Sequence, residues 1–180
     1  MLGRNHILFG GSGWLVASKL LPYIPDMQTT VGAFALPIVA IGALLPDLDC
    51  PNSLLGRRLP FISKPLAALQ GDYTNGHALK HSRGVTHTIW LWLALYYFMF
   101  GFQPVSASLS VSMIYVVALL FGWGSHILGD MFTTNGVRVF WPIPTIVRMP
   151  FYFQTGSITE YIFTLSITGA GVLYYFGYQY

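Results

Sequence analysis

Polar and charged positions in this chain are bunched into a few segments, and apolar stretches run between them. Five of these, roughly 6–22, 30–46, 87–103, 109–129 and 158–178, approach or reach the ~20 residues a helix needs to cross a bilayer. The first two are short and glycine-rich, which suits tilt, partial re-entry or close packing against neighbours. Pro22, Pro25 and Asp26 mark a short first turn, and Phe102, Gln103, Pro104 and Ser106 a short third one. The connections 47–86 and 130–157 are long and hold most of the polar residues. No internal repeat or low-complexity tract interrupts the pattern, which predicts an all-α, multi-pass transmembrane bundle of about five spans, one domain over residues 1–180.

Composition supports lipid as the main solvent. Only 8% of the 180 residues are charged and 54% are hydrophobic, whereas a soluble domain carries about a quarter charged. Lone Cys50 excludes an internal disulfide. The apolar stretch after Arg4 is broken by Gly10-Gly11-Ser12-Gly13 and resumes through Leu21, so it reads as a retained first helix rather than a cleaved signal. No lipidation motif is expected. The net charge of +3 shows no basic stripe interleaved with aromatics, so nucleic acid is not an expected partner. Instead, Arg4, Arg57, Arg58, Lys64, Lys80, Arg83, Arg138 and Arg148 fall on one side of a five-span layout, with only Lys19 near the other. The positive-inside rule then puts the N-terminus and both long loops in the cytoplasm, with the C-terminus across the membrane.

The chemistry follows the same asymmetry. His6, Asp47, Asp49, His87, His126, Asp130 and Glu160 all lie at the cytoplasmic ends of these spans, leaving only Asp26, Asp72, His77 and His81 outside the set. Ionisable groups at membrane depth cost a few kcal/mol each unless they pair or bind something. His126 and Asp130, four apart, share a helix face. Asp47 and Asp49 follow Pro46 where the chain leaves a helix. Imidazole with carboxylate suits zinc, or manganese and iron if oxygens dominate, and the number of donors allows one or two ions. Each residue also has a structural reading. His126 and Asp130 can be a helix-surface hydrogen bond, Ser157 to Glu160 a capping box, His6 an interfacial residue, and Asp49 a partner of Arg57 or Arg58. The shared layer favours the metal.

The ordered segments Gly42-Ala43-Leu44-Leu45-Pro46-Asp47-Leu48-Asp49, Leu55-Gly56-Arg57-Arg58-Leu59, Arg83-Gly84-Val85-Thr86-His87-Thr88 and Ser125-His126-Ile127-Leu128-Gly129-Asp130-Met131 resemble the YdjM-type family of inner-membrane metal-dependent hydrolases. The resemblance runs from His6 to about Pro142 and more weakly to Glu160. It implies a helical membrane enzyme distantly similar to zinc-dependent phospholipase C, with His87, His126 and Asp130 at a first metal and His6, Asp47 and Glu160 as further ligands. Two positions depart from the family pattern: Cys50 stands where a His is common, and Ser82 precedes Arg83 with His81 one place earlier.

The expected activity is metal-dependent hydrolysis of a phosphoester in a membrane lipid or lipid-linked substrate at the cytoplasmic face. Asp47 or Asp49 would be the general base and Arg83 a phosphate holder. Arg57, Arg58 and Lys64 would attract headgroups. Residues 131–157, with Trp141, Pro142, Pro144, Phe151 and Tyr152, would form an interfacial shelf. A divalent-ion transporter is disfavoured because the span midplanes lack ionisable groups. A metal peptidase or acyl hydrolase, and a non-enzymatic adaptor with a structural metal, remain as alternatives. The sequence leaves oligomeric state open.

Overall fold

The computed structural model describes residues 1–71, 73–74, 77–78, 83–101 and 110–177. Six helices follow in chain order: α1 (Gly3–Leu20), α2 (Thr30–Gly42), α3 (Pro60–Leu69), α4 (Ile89–Phe100), α5 (Val111–Met131) and α6 (Ile158–Gly177). Two 3-10 turns, Pro46–Asp49 and Val85–His87, precede α3 and α4. The described strands are a two-residue pair, β1 (Tyr73–Thr74) against β2 (His77–Ala78), antiparallel with Tyr73 opposite Ala78. The fold is helical, as the sequence predicts.

Helices α1, α2 and α5 pack on one another and α6 packs on α1. Small residues allow the closest contacts. A Cβ added at Gly122 would lie 2.2 Å from the Val39 carbonyl oxygen, and one at Gly42 would lie 2.2 Å from that of Leu119. The α2 and α5 backbones therefore touch, the packing expected of helices that associate without a hydrophobic drive between them. The core beside this seam holds Trp14, Ala17, Ile24, Ala35, Val39 and Ala118. Large apolar side chains point outward instead, with Phe34 62% and Leu173 75% exposed. Such a surface suits a hydrocarbon solvent better than water.

Span lengths are more selective than the sequence suggests. Among the described residues, Thr30–Asp49 and Val111–Met131 are long and apolar enough to cross a membrane. Apolar α4 has 12 residues, ~18 Å at helical rise, so its described part does not cross alone. His87 sits in the turn before α4 rather than on the helix, because the Thr88 hydroxyl caps α4 by accepting from Leu91 N. The loop 47–86 carries α3, which begins with Pro60 at its first position, where a missing N–H costs nothing. The proposed third turn at 102–106 lies outside the described residues.

Candidate metal centre

Four chain segments converge on one buried cluster. His6 comes from the second turn of α1, Asp47 from the turn after α2, His87 from the turn before α4, and His126 with Asp130 from the last turns of α5. His6, His87 and His126 are 0% exposed and Asp130 is 1% exposed. The turn holding His87 is anchored to α5, because Trp123 Nε1 donates to the Thr86 carbonyl at 3.0 Å. Trp92 Nε1 likewise donates to Leu120 O at 2.9 Å, tying α4 to α5.

The two central imidazoles have their tautomers set from behind. His126 Nδ1 lies 2.7 Å from the Ala43 carbonyl, which can only accept, so Nδ1 carries the proton. The Thr86 hydroxyl donates to Asp49 Oδ2 at 2.5 Å and lies 3.0 Å from His87 Nδ1. With its one proton given to a carboxylate, that oxygen accepts from His87, so His87 Nδ1 is also the protonated nitrogen. In the neutral state both Nε2 atoms then present lone pairs, and they face each other at 3.2 Å.

Two carboxylates close the same space. Asp47 Oδ1 is 3.8 Å from His87 Nε2 and 3.6 Å from His126 Nε2. Asp130 Oδ2 is 3.7 and 3.6 Å from the same atoms. Bonds of ~2.0 Å in tetrahedral geometry put neighbouring ligand atoms ~3.3 Å apart, close to these five separations. Acceptors crowded at this spacing call for a cation among them, so a divalent metal fits the residues present.

Asp130 is held by Arg83. The guanidinium forks it, Nε to Oδ2 at 2.8 Å and Nη2 to Oδ1 at 2.9 Å, while Nη1 donates to Thr133 Oγ1 and the Gly136 carbonyl. Four of its five N–H donors are thereby engaged. Arg83 adopts φ 51°, a left-handed conformation unusual for a residue with a Cβ, and those bonds hold it there. The sequence reading gives Arg83 to a substrate phosphate; in the structure its fork holds Asp130. The N-terminal ammonium of Met1 also contacts Asp130.

His6 stacks on His126 with ring centroids 3.6 Å apart, and its Nε2 lies 3.3 Å from Asp130 Oδ1. Neither His6 ring nitrogen has a hydrogen-bond partner among the described residues. The potential metal-holding groups are His6, His126 and Asp130 on one side and Asp47, His87 and His126 on the other. They share His126, which has one lone pair to give, so the two groups overlap rather than add.

Two other sequence expectations change. Asp49 is fully buried and its Oδ2 accepts from Thr86 and Gln70, which places it on the Nδ1 side of His87. Glu160 accepts from Leu2 N and Asn5 Nδ2 at 2.7 Å and from Gly156 N at 2.6 Å. It joins the start of α6 to the start of α1, where the sequence reading expects a further ligand, and belongs to neither metal-holding group. Cys50 lines the adjoining cavity, and burial pushes its thiol pKa up, which keeps it protonated and a poor ligand. His81 lies outside the described residues. Sequence reasoning missed Thr86 as an orienting group, although it adjoins His87.

A family model described as "YdjM inner membrane protein" matches residues 1–178. Inner membrane protein YdjM of Escherichia coli is 34% identical over 83% of this chain and 70% of its own length. YvsG of Bacillus subtilis is 27% identical over 98% of this chain and 95% of its own. No solved structure matches.

Proposed function

The chain belongs to the YdjM inner membrane protein family, and on that premise we propose that it is a metal-dependent hydrolase of lipid-like phosphoesters at the cytoplasmic membrane face. In this reading five apolar segments traverse or enter the bilayer, with the N-terminus and both long loops on the cytoplasmic side. The observation that carries the proposal is the pair of Nε2 lone pairs 3.2 Å apart, flanked by two carboxylates and locked from behind.

His87, His126 and Asp130 would hold one divalent ion, zinc by its donor set and manganese as the alternative, with a position left for water and Asp47 beside it. When bound, such an ion lowers the pKa of a coordinated water toward neutrality and polarises a phosphoryl oxygen. The chain's own residues do the rest. Arg83 holds the Asp130 carboxylate in place; Thr86 and the Ala43 carbonyl accept from the Nδ1–H of the two imidazoles, which leaves each Nε2 lone pair facing the site. Asp47 is the partly exposed member, at 17% of its side chain, and it borders the cavity through which water arrives. It receives the proton of the attacking water, the role that buried Asp49 cannot fill.

The test is hydrolysis of defined lipid phosphoesters by detergent-purified protein, with and without chelator. Metal-dependent turnover that disappears in His126→Ala supports the reading. Turnover that survives both chelation and that substitution excludes it.

A further inference from the structure

Beside Asp47 a cavity of ~380 Å³ opens from the cluster to the surface. Asp47, Arg83, Arg4 and Arg57 bring charged side chains to its wall, and the remainder mixes polar residues such as Asn52 with apolar ones such as Leu54. Asp47 is the only acid among the described lining residues. The two outer guanidinium groups come from different places, Arg4 from α1 and Arg57 from the segment before α3, and both residues are exposed. Arg4 lies over the Tyr161 ring at 4.9 Å and donates one Nη to its hydroxyl. Arg57 uses Nε on the Ser53 carbonyl at 3.3 Å, and its terminal nitrogens make no bond within the described residues.

We propose that this cavity is an anion subsite in which Arg4 and Arg57 grip a phosphate dianion, presenting it to the Asp47 side of the cluster. This rests on the hydrolase reading and narrows its substrate class to compounds bearing a phosphomonoester or diphosphate. Guanidinium forks match phosphate oxygens in pairs, and two of them balance a dianion better than a diester or a carboxylate. Arg83, committed to Asp130, contributes charge but little further hydrogen bonding. The volume exceeds that of a phosphate alone, leaving room for the group attached to it.

The experiment measures binding of inorganic phosphate and of dihexanoyl phosphatidate to the full-length chain in neutral detergent, with metal bound and after chelation. Arg57→Gln and Arg4→Gln are each expected to weaken binding about tenfold, whereas Arg148→Gln, which removes the same charge from an exposed residue outside the cavity lining, leaves it unchanged. Arg57 is on the surface, so its variant reports on binding rather than folding. Tighter binding of phosphatidate than of phosphate identifies a lipid headgroup as the ligand, and equal binding a free phosphate group. Equal weakening by Arg148→Gln, or no binding of either probe by the wild type, overturns the subsite. Arginine-dependent binding by a wild type that takes up no zinc or manganese on incubation would uphold the subsite while refuting the hydrolase reading.

Discussion

Replacing Thr86 with valine keeps the side chain's shape and removes one oxygen. That oxygen links buried Asp49 at 2.5 Å to His87 Nδ1 at 3.0 Å. Asp49 keeps its bond from Gln70 at 2.9 Å, so the lost bond to a charged group sits at the low end of its range, ~1.5 kcal/mol. His87 Nδ1 loses its acceptor in a site that is 0% exposed, which adds ~1–3 kcal/mol. Together the metal-free protein should lose about 2.5–4.5 kcal/mol, measured by thermal unfolding in detergent. Groups that orient a ligand from behind typically contribute 10–100-fold to metal affinity. Zinc competition against a chromophoric chelator should therefore show Thr86→Val about 10–100-fold weaker, and Thr86→Ser close to wild type. A folded Thr86→Val protein with wild-type zinc affinity would refute the tautomer argument.

Three further outcomes follow from the same geometry. Arg83→Ala strips a buried carboxylate of its fork and should destabilise the metal-free protein by ~3–5 kcal/mol in thermal unfolding; Arg83→Lys should not restore it. Gly122→Ala drives a methyl into the Val39 carbonyl and should abolish monodisperse folded protein in size-exclusion chromatography, while Gly169→Ala, with nothing within 4 Å, should be neutral or slightly stabilising. At the other end of the bundle, hydrogen bonds from Lys19, Tyr175 and the Gln28 backbone pull the Asp26 carboxyl down to about 2. Its folded pKa lies below the unfolded value of ~3.9, so its stabilisation is present above that pH and lost as pH falls toward 2. The melting-temperature gap between wild type and Asp26→Asn should close across that window.

The gathering of His6, Asp47, His87, His126 and Asp130 was legible because ionisable residues are scarce in so apolar a chain, and their places at segment ends align them in one layer. The i, i+4 spacing of His126 and Asp130 likewise fixed a shared face. Partners set by tertiary contact were not legible. Arg83 sits four residues before His87, which suggested substrate, yet its fork closes on Asp130, 47 positions away. Glu160 showed its cap in sequence, and its backbone N–H does donate to Ser157 Oγ at 3.3 Å. What withdraws its carboxylate from the cluster is Leu2 and Asn5, more than 150 residues distant. Thr86 escaped notice because hydroxyls are common and only packing makes one a relay. Helix α3 was hidden by Pro60 and Pro65, which read as loop residues until Pro60 falls on a helix start.

The most direct test is elemental mass spectrometry of detergent-purified wild type beside His126→Ala and His87→Ala. One equivalent of zinc or manganese in the wild type, lost in both variants, is the expected result. A wild type that stays metal-free after incubation with those ions, or metal retained in both variants, would contradict the proposed centre.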